Sequence, residues 1–174
     1  MGSPVEASSI TVRSARADEV EEIGTLTLDA YTADGYLGPD SSGYAASLAD
    51  AASRLRSADL LVAVDADDTL LGTVTLALPG SDYAEISREG ELEFRMLAVA
   101  PTARNRGIGE ALIRAVLDRA RELGLPRVVL CSSQNMAPAH RLYQRLGFTR
   151  LPDRDWSPGP KVHLIAFDLD LPDD

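Results

Sequence analysis

Lysine is nearly missing from this chain: Lys161 stands alone among 17 basic residues. No Gly-Lys-Ser/Thr segment exists, so a nucleotide-binding P-loop is excluded. Cysteine is as scarce. Cys131 is the only one, and no internal disulfide can form. Two distant histidines, His140 and His163, complete a set of residues too sparse for a metal site, and no metal is expected. No apolar run approaches the roughly 20 residues that cross a bilayer. The opening stretch, Met1 to Ser9, has neither a basic nor an apolar segment, so no secretion signal is indicated and a cytoplasmic location is expected. Gly2 has no neighbouring basic patch, which argues against a lipid anchor. Basic charge is also in deficit: the formal net charge is −10. That balance argues against binding duplex nucleic acid or an anionic membrane by general electrostatics. It leaves room for one local anion site and modestly favours cationic partners such as amines, although solubility alone would also account for it.

What is present fits a globular protein. The chain has 174 residues, 45% apolar and 25% charged, which suits one domain with its own core. The expected domain covers residues 9–171 behind a flexible tail, 1–8. Ile10 to Arg13 alternates as a first strand. Asp18 and Glu21 have capping-box spacing ahead of a helix with Val20, Ile23, Leu26 and Ala30 on one side. Thr32 to Gly43 reads as a loop. Tyr44, Leu48, Ala51, Ala52 and Leu55 recur at helical spacing. Leu60–Val64 and Leu71–Leu78 form a hairpin around Asp65 to Asp68. Pro79 to Gly90 is a polar connection, and Leu92–Val99 is the fourth strand. Arg106 to Leu123 is the strongest helix, with Ile108, Ala111, Leu112, Ala115, Val116 and Leu123 on or near one face. Gly124 and Pro126 end it. Val128–Cys131 is a strand, Ala137–Leu146 a helix ended by Gly147, Phe148 the start of a strand, and Val162–Leu169 the last one. This order predicts an α/β fold with a mixed sheet.

The stretch from Val99 to Leu112 carries chemistry. A strand ends, a short turn holds Arg104, Asn105 and Arg106, and a helix starts on Gly107-Ile108-Gly109. First-turn amides have no helical partner, and the helix dipole favours an anion there. Arg104 and Arg106 can add charge-assisted contacts. Such a site suits a diphosphate. The alternative is an ordinary strand-to-helix turn with glycines for packing. The three-glycine dinucleotide pattern is absent.

The remaining pattern, Arg104-Asn105-Arg106-Gly107-Ile108-Gly109, resembles motif A of the GNAT superfamily of N-acetyltransferases. Leu97-Ala98-Val99 before it, and Asn135 with Leu142-Tyr143-Gln144-Arg145-Leu146-Gly147-Phe148 after it, are similar to that family too. The element order from Ile10 to Leu169 agrees. The resemblance implies a single-domain, mostly antiparallel sheet of six to seven strands with about four helices, splayed between strands four and five. It implies acetyl-CoA as co-substrate and no metal. Pantetheine would meet the backbone of Leu97, Ala98 and Val99. The pyrophosphate would lie on the amides of Arg104, Asn105, Arg106, Gly107, Ile108 and Gly109, with Asn135 beside the pantetheine arm.

Acyl transfer to an amine needs a base for the amine and an acid for the departing thiolate. The resemblance implies Tyr143 as that acid; otherwise it is a packed tyrosine. Glu91 and Glu93 alternate with Leu92 and Phe94, so both carboxylates share a face. Glu93 is closer to the cofactor backbone and resembles the family's strand-four glutamate, so it is the expected base. A solvated strand face, or pairing with Arg95, would account for it equally simply. His140 reads as a surface helix residue, His163 as a strand residue near the sheet edge, and Cys131 as core rather than nucleophile. The resemblance places the acceptor at Tyr31 to Tyr44 and at Pro152 to Lys161. Tyr31, Tyr36, Tyr44, Asp34, Asp40, Asp153, Arg154, Asp155 and Trp156 there could receive a cationic amine, or simply line two polar loops. The expected reaction is acetyl transfer to a primary amine by direct attack in a ternary complex. The alternative is a catalytically silent CoA-binding module of the same fold. Exposed edge strands would allow a homodimer.

Overall fold

The computed structural model describes residues 9–37, 42–159 and 162–172. The expected tail 1–8 and the acceptor-loop residues Asp40, Pro160 and Lys161 lie outside them. Among the described residues there are eight strands and five α-helices. The strands hydrogen-bond in the order β1-β2-β3-β4-β5-β8-β6, with β7 pairing to β8. Two compact units emerge. One runs up to Thr75 and includes Met96–Ala115; the other comprises Leu76–Arg95 and Val116–Asp174.

The first unit starts with β1 (Thr11–Ser14), which pairs antiparallel with β2 (Asp59–Val64). β2 and β3 (Leu70–Ala77) are buried along almost their whole length, as their continuous apolar runs require. Helix α1 (Val20–Ala33) buries Ile23, Leu26 and Ala30, and also Thr27 and Tyr31. Its lead-in differs from the expected Asp18–Glu21 box. The Arg16 amide donates to Glu19 Oε1 at 2.8 Å, closing a short 3-10 turn first. The helix expected from Tyr44 to Leu55 is broken into α2 (Ser42–Ala49) and α3 (Ala51–Ser57). Asp50 is the cause. Its carboxylate accepts from the Ser53 amide at 3.1 Å and so restarts the helix as an N-cap. The restart turns Arg54, rather than Leu55, into the core. Arg54 is fully buried and donates to Ser47 O at 2.7 Å.

Strand β4 (Glu91–Val99) belongs to the second unit up to Arg95, where it pairs parallel with β5 (Arg127–Ser133), and to the first unit from Met96. They pair over Glu91–Glu93 and Arg127–Val129, and then splay. Met96 in β4 has φ 54. A left-handed, non-glycine residue inside a strand costs of order 1–3 kcal/mol and bends the chain locally. β5 also pairs with β8 (Val162–Asp170), which takes β6 (Thr149–Arg150) and β7 (Trp156–Gly159) on its other side. His163 therefore sits at the end of an internal strand, not near a sheet edge. β7 was unexpected, because Ser157-Pro158-Gly159 reads as turn. Its proline is tolerated beside a register shift on an outer strand.

Helix α4 (Ile108–Glu122) buries Ile108, Leu112, Ile113, Val116, Leu117 and Ala120. Leu123, expected on that face, lies past the helix end and is exposed. Helix α5 (Ala137–Arg145) buries Tyr143. Gly124 (φ 71) and Gly147 (φ 104) end α4 and α5 in left-handed turns, in which Leu125 N donates to Ala120 O and Phe148 N to Tyr143 O. No helix among the described residues is long and apolar enough to cross a membrane.

Candidate active site

In the first unit, β4 ends at Val99 and a 3-10 turn (Pro101–Ala103) leads to Arg104. Asn105 (φ 63) and Gly107 (φ 75) then take left-handed conformations before α4 begins at Ile108. A side chain at Gly107 would meet open space, so its role is conformational. Gly72 is different. A Cβ there would come within 2.8 Å of Ala98 O and of the Ile108 side chain. That glycine lets β3, β4 and the first turn of α4 approach closely, and no sequence pattern singled it out.

Asn105, Arg106 and Gly107 are exposed, Gly109 is half-buried and Ile108 is anchored in the core. Ala98 is buried, whereas Leu97 and Val99 are half-buried. Arg104 is half-exposed. Its Nη1 donates to both Asp34 oxygens, at 3.0 and 3.2 Å, and its Nε is buried without a hydrogen-bond partner. Asp34 lies just past α1 beside an aromatic group. Tyr31 packs edge-on against Tyr36 and Tyr44 with ring centroids 6.1 and 6.0 Å apart. Burial, then the Asp34 charge, raises the Tyr36 phenol, and the Arg104 charge opposes them.

In the second unit, Glu93 is fully buried. Its Oε1 accepts three backbone amides, from Glu85, Ile86 and Ser87, at 2.8, 3.0 and 3.1 Å. Its Oε2 has no hydrogen-bond partner. Neither of the simpler expectations holds for this side chain: it is not solvated, and Arg95 pairs with Glu85 instead, at 3.1 Å. Burial raises the Glu93 carboxyl; the three amides oppose that, the Glu85 charge adds to it, and the net shift is upward. Cys131 joins this group, with polar atoms of Glu85, Glu93 and Cys131 within 4.8 Å of one another. Burial, together with the Glu85 charge, pushes the thiol up, which works against a thiolate nucleophile.

Glu91 shares its strand face with Glu93 but has a different fate. Burial pushes its carboxyl up, but hydrogen bonds from Arg154 and the Arg88 amide and the charges of Arg154 and Arg127 outweigh it, and the net shift is downward. Arg154 Nη2 donates to Glu91 Oε2 at 2.8 Å, and Nη1 bonds Oε1. The expected acceptor segment thus spends two charged residues on structure: Arg154 on Glu91, and Asp155 on Arg150 and the Ala166 amide. Asp153 and Trp156 stay exposed.

Tyr143 is buried among aromatic rings, 5.9 Å from Phe94, 6.2 Å from Phe148 and 5.6 Å from Phe167 between centroids. Phe94 and Glu93 alternate along β4, so Tyr143 packs on the sheet face opposite Glu93. His140 is not a plain surface residue. Its Nε2 lies 3.1 Å from Ser132 Oγ, its ring is 5.2 Å from Phe167, and burial lowers its pKa. Asn135 is exposed in the turn before α5, and its Oδ1 accepts from Ser133 Oγ at 2.8 Å.

Comparison with known proteins agrees with this architecture. The human N-acetyltransferase 8B is 35% identical over 62% of this chain and 48% of its own length. Mycothiol acetyltransferase from Pseudarthrobacter chlorophenolicus is 38% identical over 64% of this chain and 35% of its own. The chain thus spans half or less of these relatives. The PaiA N-acetyltransferase from Thermoplasma acidophilum, solved in complex with coenzyme A, shares the fold at a TM-score of 0.69 and 15% identity, covering 91% of this chain and 98% of that one. The Acetyltransferase (GNAT) family pattern matches residues 22–148, from within α1 to just past α5, and the chain belongs to that family.

Proposed function

We propose that this chain transfers an acetyl group from acetyl-CoA to a primary amine, with Glu93 as base and Tyr143 as acid. The observation that carries the reading is Glu93: a fully buried carboxylate with one oxygen held by three amides and the other unpaired. A strand-four carboxylate serving structure alone would have both oxygens satisfied, as Glu91 does.

The residues present fit the donor. The Asn105–Gly107 turn bares the backbone ahead of a 15-residue helix, Arg106 is exposed and Arg104 carries an unpartnered buried Nε. Arg104 to Gly109 would hold the pyrophosphate, Leu97 to Val99 the pantetheine backbone, and Asn135 its arm. Acetyl-CoA supplies an activated thioester. Glu93 Oε2 takes a proton from the attacking amine, directly or through a water. The raised Glu93 carboxyl suits this task, because burial makes its carboxylate a stronger base than that of a free glutamate. The Tyr143 phenol, on the other face of β4, would donate a proton to the departing sulfur through the gap where β4 and β5 stop pairing. The net charge of −10 favours a cationic acceptor.

The test is release of free thiol from acetyl-CoA over a panel of small amines, peptide N-termini and lysine peptides. Amine-dependent release supports the enzyme. Tight acetyl-CoA binding without release for any amine would leave a CoA-binding module of the same fold.

A further inference from the structure

Glu93 owes its setting to a segment that has no regular structure of its own. Residues 85–87 turn three successive amides onto one carboxylate oxygen, at 2.8 to 3.1 Å. Adjacent amides do not converge in an extended chain, so something must hold that curve. Its middle residue and the residue just after it are both tied to one ion pair. Arg154 Nη1 donates to Ile86 O at 3.1 Å while bonding Glu91 Oε1. The Arg88 amide donates to the same Glu91 oxygen at 2.8 Å, and the Glu91 amide returns a bond to Arg88 O at 3.0 Å. Gly90, at φ 84, allows the chain to reverse there. The side chains of Arg154 and Glu91 are 9% and 6% exposed, so solvent competes little for these bonds.

We infer that Arg154 and Glu91 are positioning residues for Glu93: their ion pair fixes residues 86–88 and thereby aims the three amides at Glu93 Oε1. The inference rests on the reading of Glu93 as base. It takes Arg154 out of the acceptor segment, where the family resemblance had placed it. The charged and titratable groups facing Glu93 are Glu85, held by Arg95, and Cys131 on β5. Loss of the clamp frees the amides, while the Glu85 side chain stays held by Arg95 and Cys131 by β5. Glu93 then loses the hydrogen bonds that favour its charged form, and its carboxyl rises further.

The experiment compares kcat against pH for the wild type, Glu93→Gln, Arg154→Met and the double variant Glu91→Gln/Arg154→Met, the last avoiding a buried Glu91 charge left with Arg127 alone. Amide hydrogen exchange at residues 85–87 is measured alongside. The expected result is an acidic limb moved upward by half a pH unit or more in both Arg154 variants, with at least tenfold faster exchange at 85–87 and an unchanged KM for acetyl-CoA. If Glu93→Gln retains full activity, the base reading itself fails. If Glu93→Gln is impaired but the Arg154 variants keep the wild-type limb and exchange rates, the positioning role is overturned. Should Arg154→Met not fold, the double variant carries the comparison. Should neither fold, wild-type exchange at 85–87 decides: protection no greater than in the exposed 65–68 turn would refute a held cradle.

Discussion

Two arginine–carboxylate pairs divide the work of this molecule differently. Arg104 and Asp34, in the first unit, are each 35% exposed at the side chain. Arg154 and Glu91, in the second, are 9% and 6% exposed. The chemistry of the partners is alike, but the surroundings are not. Water and salt screen the exposed pair, so it contributes little and can be exchanged for another anion. The buried pair exchanges partners less easily: losing Glu91 strands the Arg154 charge, and losing Arg154 leaves the buried Glu91 with only the Arg127 charge, at 3.4 Å. The first pair suits a place where a ligand arrives. The second suits a place where geometry must not change.

Several measurements would break or sharpen this contrast. The largest effect is expected at the residue the buried pair supports: Glu93→Gln should lower kcat about 100-fold or more, within the usual range for losing a general base. A binding-only role would instead raise KM and spare kcat. Next, Arg154→Ala should cost about 3–5 kcal/mol of stability by denaturant unfolding, whereas Arg104→Ala should cost about 1 kcal/mol or less. Equal losses would erase the distinction. Third, Asp34→Asn should tighten coenzyme A binding a few-fold by calorimetry, because Arg104 is released, while Arg104→Ala should weaken it about tenfold, as expected for losing a charge-assisted bond. Weaker binding in Asp34→Asn would mean that Asp34 orients Arg104 rather than competing for it. The smallest effect is local. Asp50→Ala should cost about 1 kcal/mol through loss of the α3 cap, with no change in turnover.

The contrast also explains what the sequence could disclose. Features written in consecutive residues were legible. The Arg104–Gly109 turn, the Gly124 and Gly147 helix ends and the buried runs of β2 and β3 all depend on neighbours in the chain. Glu93 could be singled out by strand alternation, but not its state. Its three amides come from a stretch that reads only as polar connection, and its clamp comes from Arg154, 63 residues after Glu91. Periodicity carries no information about such partners. Gly72 escaped for the same reason, since its need for a missing side chain arises from Ala98 and Ile108. The break at Asp50 was within reach, because Asp50 and Ser53 have the spacing of an N-cap. The apolar period running through them concealed it.

In the proposed function Glu93 acts as a base from a buried, amide-held state. The most direct measurement is kcat against pH at saturating amine for the wild type and Glu93→Gln. Burial places the Glu93 carboxyl above the usual carboxylate value of about 4.3. The charged form is therefore lost at a higher pH than for a free glutamate, and the rate should fall on acidification through that elevated value. Glu93→Gln should lack this limb and run far slower on its plateau. Superimposable profiles at comparable rates would contradict the account.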